Sequence, residues 1–213
     1  MHVRKFPAND CKHMLKHFEQ HSANNKIYNL APDRGNQYEY MINRCKEANA
    51  LKRKDLITMC CIDVIMPDDL PENISEQSFF QAVYNHFSKK FGEENVISCY
   101  VHKENNKLPH CHFAFVPACP NDRGKITVSG KRLISRQALR SLHPEAEAAI
   151  SKELGQKIHL LMDNAIRSDT NTLQHKEYIQ LQRKIEAAQK ELADLQKQIE
   201  ETERKLKGRK DNI

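Results

Sequence analysis

The chain has 213 residues, of which 39% are hydrophobic, enough for one domain of about 150 residues and an appendage but not for two cores. No apolar run approaches the roughly 18 residues of a membrane span, and no signal-peptide core stands at the amino terminus, so a soluble, cytoplasmic protein is expected. Seven cysteines, an odd number with no C-x-x-C pair, read as reduced buried thiols rather than a secreted disulfide framework.

The net charge of +6 is unevenly spread. Residues 1–54 carry 11 Lys and Arg against 5 Asp and Glu, residues 55–98 carry 2 against 8, residues 99–140 carry 8 against 2, and residues 141–213 carry 13 against 13. A polyanion bound at the two basic segments would explain the pattern, because each neutralised phosphate releases counterions.

In chain order, Asp10 to Gln20 is helical in pattern, with Cys11, Met14, Leu15 and Phe18 on one apolar face. His13, His17 and His21 follow at i, i+4 and i+8 on another face, a ladder that is more often an inert helix surface than a metal site. Residues 22–49 are polar and turn-rich around Pro32–Gly35. Their tyrosines, Tyr28, Tyr38 and Tyr40, interleave with basic residues, which suits stacking and phosphate pairing with single-stranded DNA; Tyr28 alternatively fills a core position.

The run LITMCCIDVIM, bounded by Pro67, is expected to be a central strand. Ser75 caps a helix that reaches Phe91 and is closed by Gly92, and its stripe of Phe79, Phe80, Val83, Phe87 and Phe91 packs on the back of the sheet. Val96 to His102 is a second strand. A polar turn closing on Pro109 leads into a third, in which His110, His112, Ala114 and Val116 point one way and Cys111, Phe113 and Phe115 the other. The turn brings His102 beside His110 and His112, with Glu104 close by. Three imidazoles and a carboxylate suit zinc, manganese, iron or nickel better than calcium. After Pro117 come a basic loop with Lys125, Lys131 and Arg132 around a short KITVS strand, a helix capped by Ser135 and running to Leu142, and a second helix beginning at Pro144 and running to Leu154. Finally, Tyr178, Ile185, Leu192, Ile199 and Leu206 at a, with Leu181, Ala188, Leu195 and Thr202 at d, form a four-heptad repeat that predicts a two-stranded coiled coil, with a single amphipathic helix folded back on the domain as the alternative.

His102–Lys103–Glu104 followed by Leu108–Pro109–His110–Cys111–His112 resembles the metal motif of the Mob/Pre (MobV-type) plasmid mobilisation relaxases, of the histidine-hydrophobe-histidine (HUH) endonuclease superfamily. The resemblance extends over residues 1–160 through Leu15–Lys16–His17, Arg53–Lys54–Asp55, the helix Ser75–Phe91 and Phe91 to Val96. The metal loop is one residue longer than the family's usual spacing and carries one acid where the family usually has two. Gln20 stands where an Arg usually follows the nucleophile, so that phosphate contact would fall to Lys16 or Arg34.

The resemblance implies an α+β fold, an antiparallel sheet with helices packed on one face (residues 1–160), followed by the coiled coil (residues 161–213) as a homodimerisation segment. It implies site- and strand-specific nicking of single-stranded or hairpin origin-of-transfer DNA through a 5′-phosphoryl-histidine on His17. The divalent metal, Mn2+ or Mg2+ with Zn2+ as an alternative, sits on His102, His110 and His112, with Glu104 a ligand or an assisting acid. Lys16, Arg34, Arg53, Lys54, Lys125, Lys131 and Arg132 are the expected DNA contacts. Tyr28 is the alternative nucleophile, as in a rolling-circle replication initiator of the same fold, and a catalytically inactive dimeric DNA-binding protein is the third reading. An imidazole is neutral at pH 7, whereas a phenol of pKa about 10 must first lose its proton, which favours histidine.

Overall fold

A computed structural model of the chain describes residues 1–20, 26–103 and 108–160, and Gln196 apart from these. The expected coiled coil, Gln196 excepted, and Glu104 lie outside the described residues. The elements run β1 (His2–Pro7), α1 (Ala8–Glu19), β2 (Lys26–Asn29), α2 (Gln37–Glu47), β3 (Ile57–Ile65), α3 (Glu76–Phe91), a 3-10 turn (Glu93–Asn95), β4 (Val96–Lys103), β5 (His110–Phe115), β6 (Ala118–Pro120), β7 (Ile126–Val128), α4 (Gly130–Leu133) and α5 (Arg136–Leu154). Five strands form one sheet in the order β1-β3-β5-β4-β2, every neighbouring pair antiparallel, while β6 and β7 make a separate ribbon.

The nearly continuous apolar run of β3 and the alternation in β5 have the same cause. Both strands are interior, and each face is covered. Behind the sheet, Phe79, Phe80, Phe87 and Phe91 of α3 and Leu142, Ala146 and Ile150 of α5 bury Cys60, Ile62, Val64, Phe113 and Phe115. In front, Cys11, Met14, Leu15 and Phe18 of α1 and Met41 and Cys45 of α2 bury Met59, Cys61, Ile97 and Ala114. Helices therefore pack on both faces, not on one as expected. The α1 stripe is clear in the sequence, but a stripe does not say which face of the sheet it covers.

Local chemistry explains the boundaries. Ser75 and Ser135 accept the backbone N–H of Ser78 and Ala138, at 3.1 Å each, capping α3 and α5 as their sequences predict. Gly92 ends α3 at φ 87°, a conformation most side chains avoid. Gly130 is required for another reason, since a Cβ there would stand 2.8 Å from the Ile57 side chain and push α4 off β3. The segment 22–49 holds β2 and α2 instead of turns alone. Asn36 caps α2 by accepting the Glu39 N–H at 3.2 Å, an Asn-x-x-Glu signature legible in the sequence. Residues 136–154 form one helix rather than two. Pro144 lies inside it, because Leu142, Ala146 and Ile150 form one buried stripe that holds the flanking turns together.

Candidate metal centre

Antiparallel pairing of β4 with β5 sets His102 directly opposite His110, and His112 one pleat further in, opposite Tyr100. All three imidazoles share the front face. Ring centroids are 5.4 Å apart for His102 and His110, 4.9 Å for His102 and His112, and 5.1 Å for His110 and His112. One ligand nitrogen from each lies within 4.8 Å of the others. The arrangement expected from the spacing of the histidines is thus present.

Each ring is held by a different contact. His102 is only 6% exposed, and its Nε2 lies 2.9 Å from the carbonyl of Phe18 at the end of α1. Burial, followed by the neighbouring His112 and His110, pushes its pKa down to about 4, so it is neutral at pH 7 with a lone pair to give. His112 sets Nδ1 2.6 Å from Oδ1 of Asp63, its cross-strand partner on β3, and stacks on the Phe18 ring at 4.7 Å. His110 has Nδ1 3.4 Å from the Leu108 carbonyl. Arg4 of β1 closes the cluster by donating from Nη2 to Asp63 Oδ1 at 2.7 Å, with Nε 2.7 Å from Oδ2. Burial alone would raise the Asp63 pKa, but the hydrogen bond from His112, and then Arg4, hold it well below the usual carboxylate range.

The donor set fits a divalent cation of the transition series: three imidazoles, at least one neutral at pH 7, converging on one point. A second group of ligand atoms, from Cys61, Asp63 and His112, overlaps the first. It fits poorly. Arg4 already engages both Asp63 oxygens, and burial pushes the Cys61 thiol far up, so the group offers a cation its own positive neighbour and a protonated sulfur.

The other expected site residues divide. His17 stands at the centre's edge, one residue before Phe18 on α1 and near enough to lower the proton affinity of His102. Lys16, beside it, is exposed. Tyr28 is not at the centre. It pairs with Val101, faces the back of the sheet, and reaches Glu76 with its hydroxyl at 3.5 Å. The remaining basic residues gather at the opposite end of the sheet, where β3 and β4 begin and β5 ends. Arg34 donates to the Glu93 carbonyl, Arg53 pairs with Asp55, and Arg132 pairs with Asp122, while Lys54, Lys125 and Lys131 are exposed close by in sequence. Arg34 therefore does not replace the missing Arg at Gln20. Sequence reasoning missed Arg4 and Asp63. The signal was there, since an acid inside an otherwise apolar interior strand needs a partner.

A family model described as Mob_Pre, plasmid recombination enzyme, matches residues 53–159, half of the chain. Among solved structures, the MobM relaxase domain (MOBV; Mob_Pre) bound to plasmid pMV158 oriT DNA of 22 nucleotides, Mn-bound at pH 5.5, superposes with a TM-score of 0.61 at 23% identity, covering 76% of this chain and 90% of that one. The same domain bound to 26-nucleotide pMV158 oriT DNA gives 0.58 at 22% identity, covering 76% and 91%. No curated protein sequence matches the chain. The superpositions establish a shared fold, and the family model, spanning β3 to α5 with all three histidines, establishes descent. The chain belongs to the Mob_Pre family of plasmid recombination enzymes.

Proposed function

We propose that the chain is a plasmid mobilisation relaxase: it nicks origin-of-transfer DNA at one site on one strand and carries the cut strand as a 5′-phosphoryl-histidine on His17. One observation carries the reading. The carbonyl of the residue after His17 holds His102, so the helix bearing the nucleophile and the three-histidine cluster are joined by a 2.9 Å contact. A divalent ion on His102, His110 and His112 would supply Lewis-acid polarisation of the scissile phosphate. Manganese is the first candidate, the MobM domain being Mn-bound with its oriT DNA.

The chain's own groups do the rest. The His17 imidazole attacks phosphorus in line, a P–N bond forms as the P–O3′ bond breaks, the departing 3′ oxygen takes a proton, and the imidazole gives one up. The phosphoramidate conserves the bond energy, so the 3′-hydroxyl can later attack it and rejoin the strand. Lys16, exposed next to the nucleophile, contacts the backbone near the cut, and the basic end of the sheet contacts DNA further along. Tyr28 takes no part. The sheet lies between it and the histidines, and burial and then Glu76 push its phenol up to about 12. The heptads of residues 178–206 support the further proposal that residues 161–213 pair two copies as a homodimer.

The experiment is incubation of the full chain with single-stranded origin DNA and MnCl2, followed by denaturing electrophoresis and mass mapping of the adduct. A covalent adduct on His17 is expected, lost in His17→Ala and retained in Tyr28→Phe. Sequence-specific DNA binding without an adduct would sink the enzymatic reading in favour of a binding protein.

A further inference from the structure

Asp63 interrupts the apolar run of β3 at the position facing His112, and nothing in the chemistry proposed above uses it. Both of its oxygens are engaged within the protein: Oδ1 by His112 Nδ1 at 2.6 Å and Arg4 Nη2 at 2.7 Å, and Oδ2 by Arg4 Nε at 2.7 Å. We propose that Arg4 and Asp63 are positioning residues of the metal centre, locking His112 in the tautomer and ring orientation that present Nε2 to a divalent cation. This inference rests on the metal-dependent reading above.

Donors and acceptors decide the tautomer. An ionised carboxylate only accepts, so the contact to Asp63 requires the proton of His112 to sit on Nδ1, which leaves the lone pair on Nε2. Arg4 Nη2 also lies 3.3 Å from the same Nδ1, and as a donor it would want a lone pair there. The two demands exclude each other, and the shorter, charge-assisted contact to the carboxylate prevails. Arg4 then acts one step removed: its Nη2 hydrogen bond to Oδ1 and the close approach of Nε to Oδ2 hold the carboxylate against swinging toward the cation as a ligand. Phe18, stacked on the ring at 4.7 Å and itself backed by the Arg4 guanidinium at 5.4 Å, opposes a flip. A flip would aim a C–H edge at the place where the other two imidazoles converge. The first strand thus contributes to the centre without touching the cation.

The measurement is Mn2+ affinity of the full chain without DNA, by titration calorimetry or by the electron paramagnetic resonance signal of free Mn2+. Asp63→Ala is expected to weaken binding by about 10- to 100-fold, as loss of an orienting partner does at other metal-ligating histidines. Arg4→Gln should weaken it less. A double-mutant cycle separates orientation from general damage: in a His112→Ala background, Asp63→Ala should cost no further affinity. Asp63→Asn keeps the shape and an acceptor oxygen and carries the test should the alanine variant not fold. A loss of about threefold or more, at an unchanged circular dichroism spectrum, is expected there on the weaker neutral hydrogen bond. Affinity equal to wild type in Asp63→Ala or Asp63→Asn, or the same loss in both backgrounds of the cycle, overturns the proposal. Wild-type protein that binds Mn2+ but forms no DNA adduct would sink the relaxase reading and leave this one standing; nicking intact with unchanged affinity in Asp63→Ala would do the reverse.

Discussion

Behind the sheet, burial is uniform. Phe79, Phe80, Phe87, Phe91, Phe113 and Phe115 meet ring to ring, with centroid distances such as 4.3 Å for Phe91 and Phe115 and 5.5 Å for Phe87 and Phe113. In front, the same strands turn Arg4, Asp63, His102 and His112 into a layer otherwise made of Met14, Leu15, Phe18 and Met41. Each face teaches what the other is for. Apolar burial is favourable wherever it occurs, so the back supplies stability without constraint on detail. Burying an ion pair returns little net stability and is costly to break on one side, so the front holds its polar groups only because each has a defined partner. The front trades stability for a particular arrangement of imidazoles.

That contrast is broken most strongly at Phe113. It touches Tyr84, Phe87, Phe91 and Phe115, is fully buried, and lies between His112 and Ala114 on the same strand. Phe113→Ala is expected to cost about 3–5 kcal/mol in urea unfolding, from the forgone transfer energy and the cavity left behind. Mn2+ affinity of the folded fraction should stay near wild type. An equal loss of metal affinity would mean that the two faces are not separable.

The next effect belongs to the front and appears as pH dependence. His102 titrates near 4 when folded and near 6.5 when unfolded, burial being the largest cause, with His112 and His110 after it. Above pH 6.5 both states are neutral there and nothing changes. Below it the unfolded chain takes up a proton that the folded one refuses until about pH 4, so stability falls across that window. The expected loss is up to about 3 kcal/mol in metal-free protein with a chelator present. His86, also lowered by burial, adds to the slope, so the informative quantity is the difference between wild type and His102→Gln, in which the His102 share is gone. Asp63 works in a different range. Its folded value is depressed, so its contribution is complete above the ordinary carboxylate pKa near 3.9 and is lost only on further acidification. An unfolding midpoint flat from pH 7 to 4.5 would contradict a buried neutral His102.

The same contrast explains what the sequence made legible. The back could be read, because α3 has a serine cap, five apolar residues at helical spacing and a terminal glycine, and long strong patterns need no tertiary knowledge. The three histidines could also be read, because two lie on one strand at i and i+2 and the third is one residue from the end of the adjacent strand, so a single hairpin suffices to join them. β1 was not legible, since half of the residues His2 to Pro7 are polar or charged, they follow no strict alternation, and they acquire their strand conformation by pairing with β3. Asp63 was hidden by the run around it, and its partner Arg4 lies 59 positions away. β2 was obscured in a polar segment whose alternation is only four residues long. Missing it mattered, because without the register of Ile27 opposite His102 and Tyr28 opposite Val101, nothing in the sequence says which side of the sheet Tyr28 faces.

Tyr28 gives a smaller but sharper test. Tyr28→Phe removes one long hydrogen bond, 3.5 Å to Glu76, and should change stability by less than about 1 kcal/mol. Adduct formation and Mn2+ affinity should both be unchanged, because the hydroxyl is on the wrong side of the sheet to reach either. Loss of the adduct with folding intact would show that the back face is catalytic after all.

The smallest effect tests the two ends of the sheet rather than its faces. Arg53 is exposed and forked onto Asp55, near where β3 begins, while Lys16 is exposed on α1 beside His17 at the histidine end. Arg53→Gln should leave the melting temperature and Mn2+ affinity unchanged, because surface pairs of this kind contribute little. Its effect is expected in DNA binding alone. If the far end tracks the phosphate backbone, the slope of log K against log salt falls by about 1 for the single phosphate that is no longer neutralised. Arg53 is already matched by Asp55, however, and must exchange that partner for a phosphate, so the change should be smaller than for Lys16→Gln, whose slope change is expected to be the full unit. Equal slopes for wild type and both variants would remove the polyanion reading of the charge pattern, and a larger change for Arg53→Gln would put the main DNA track at the end of the sheet away from the histidines.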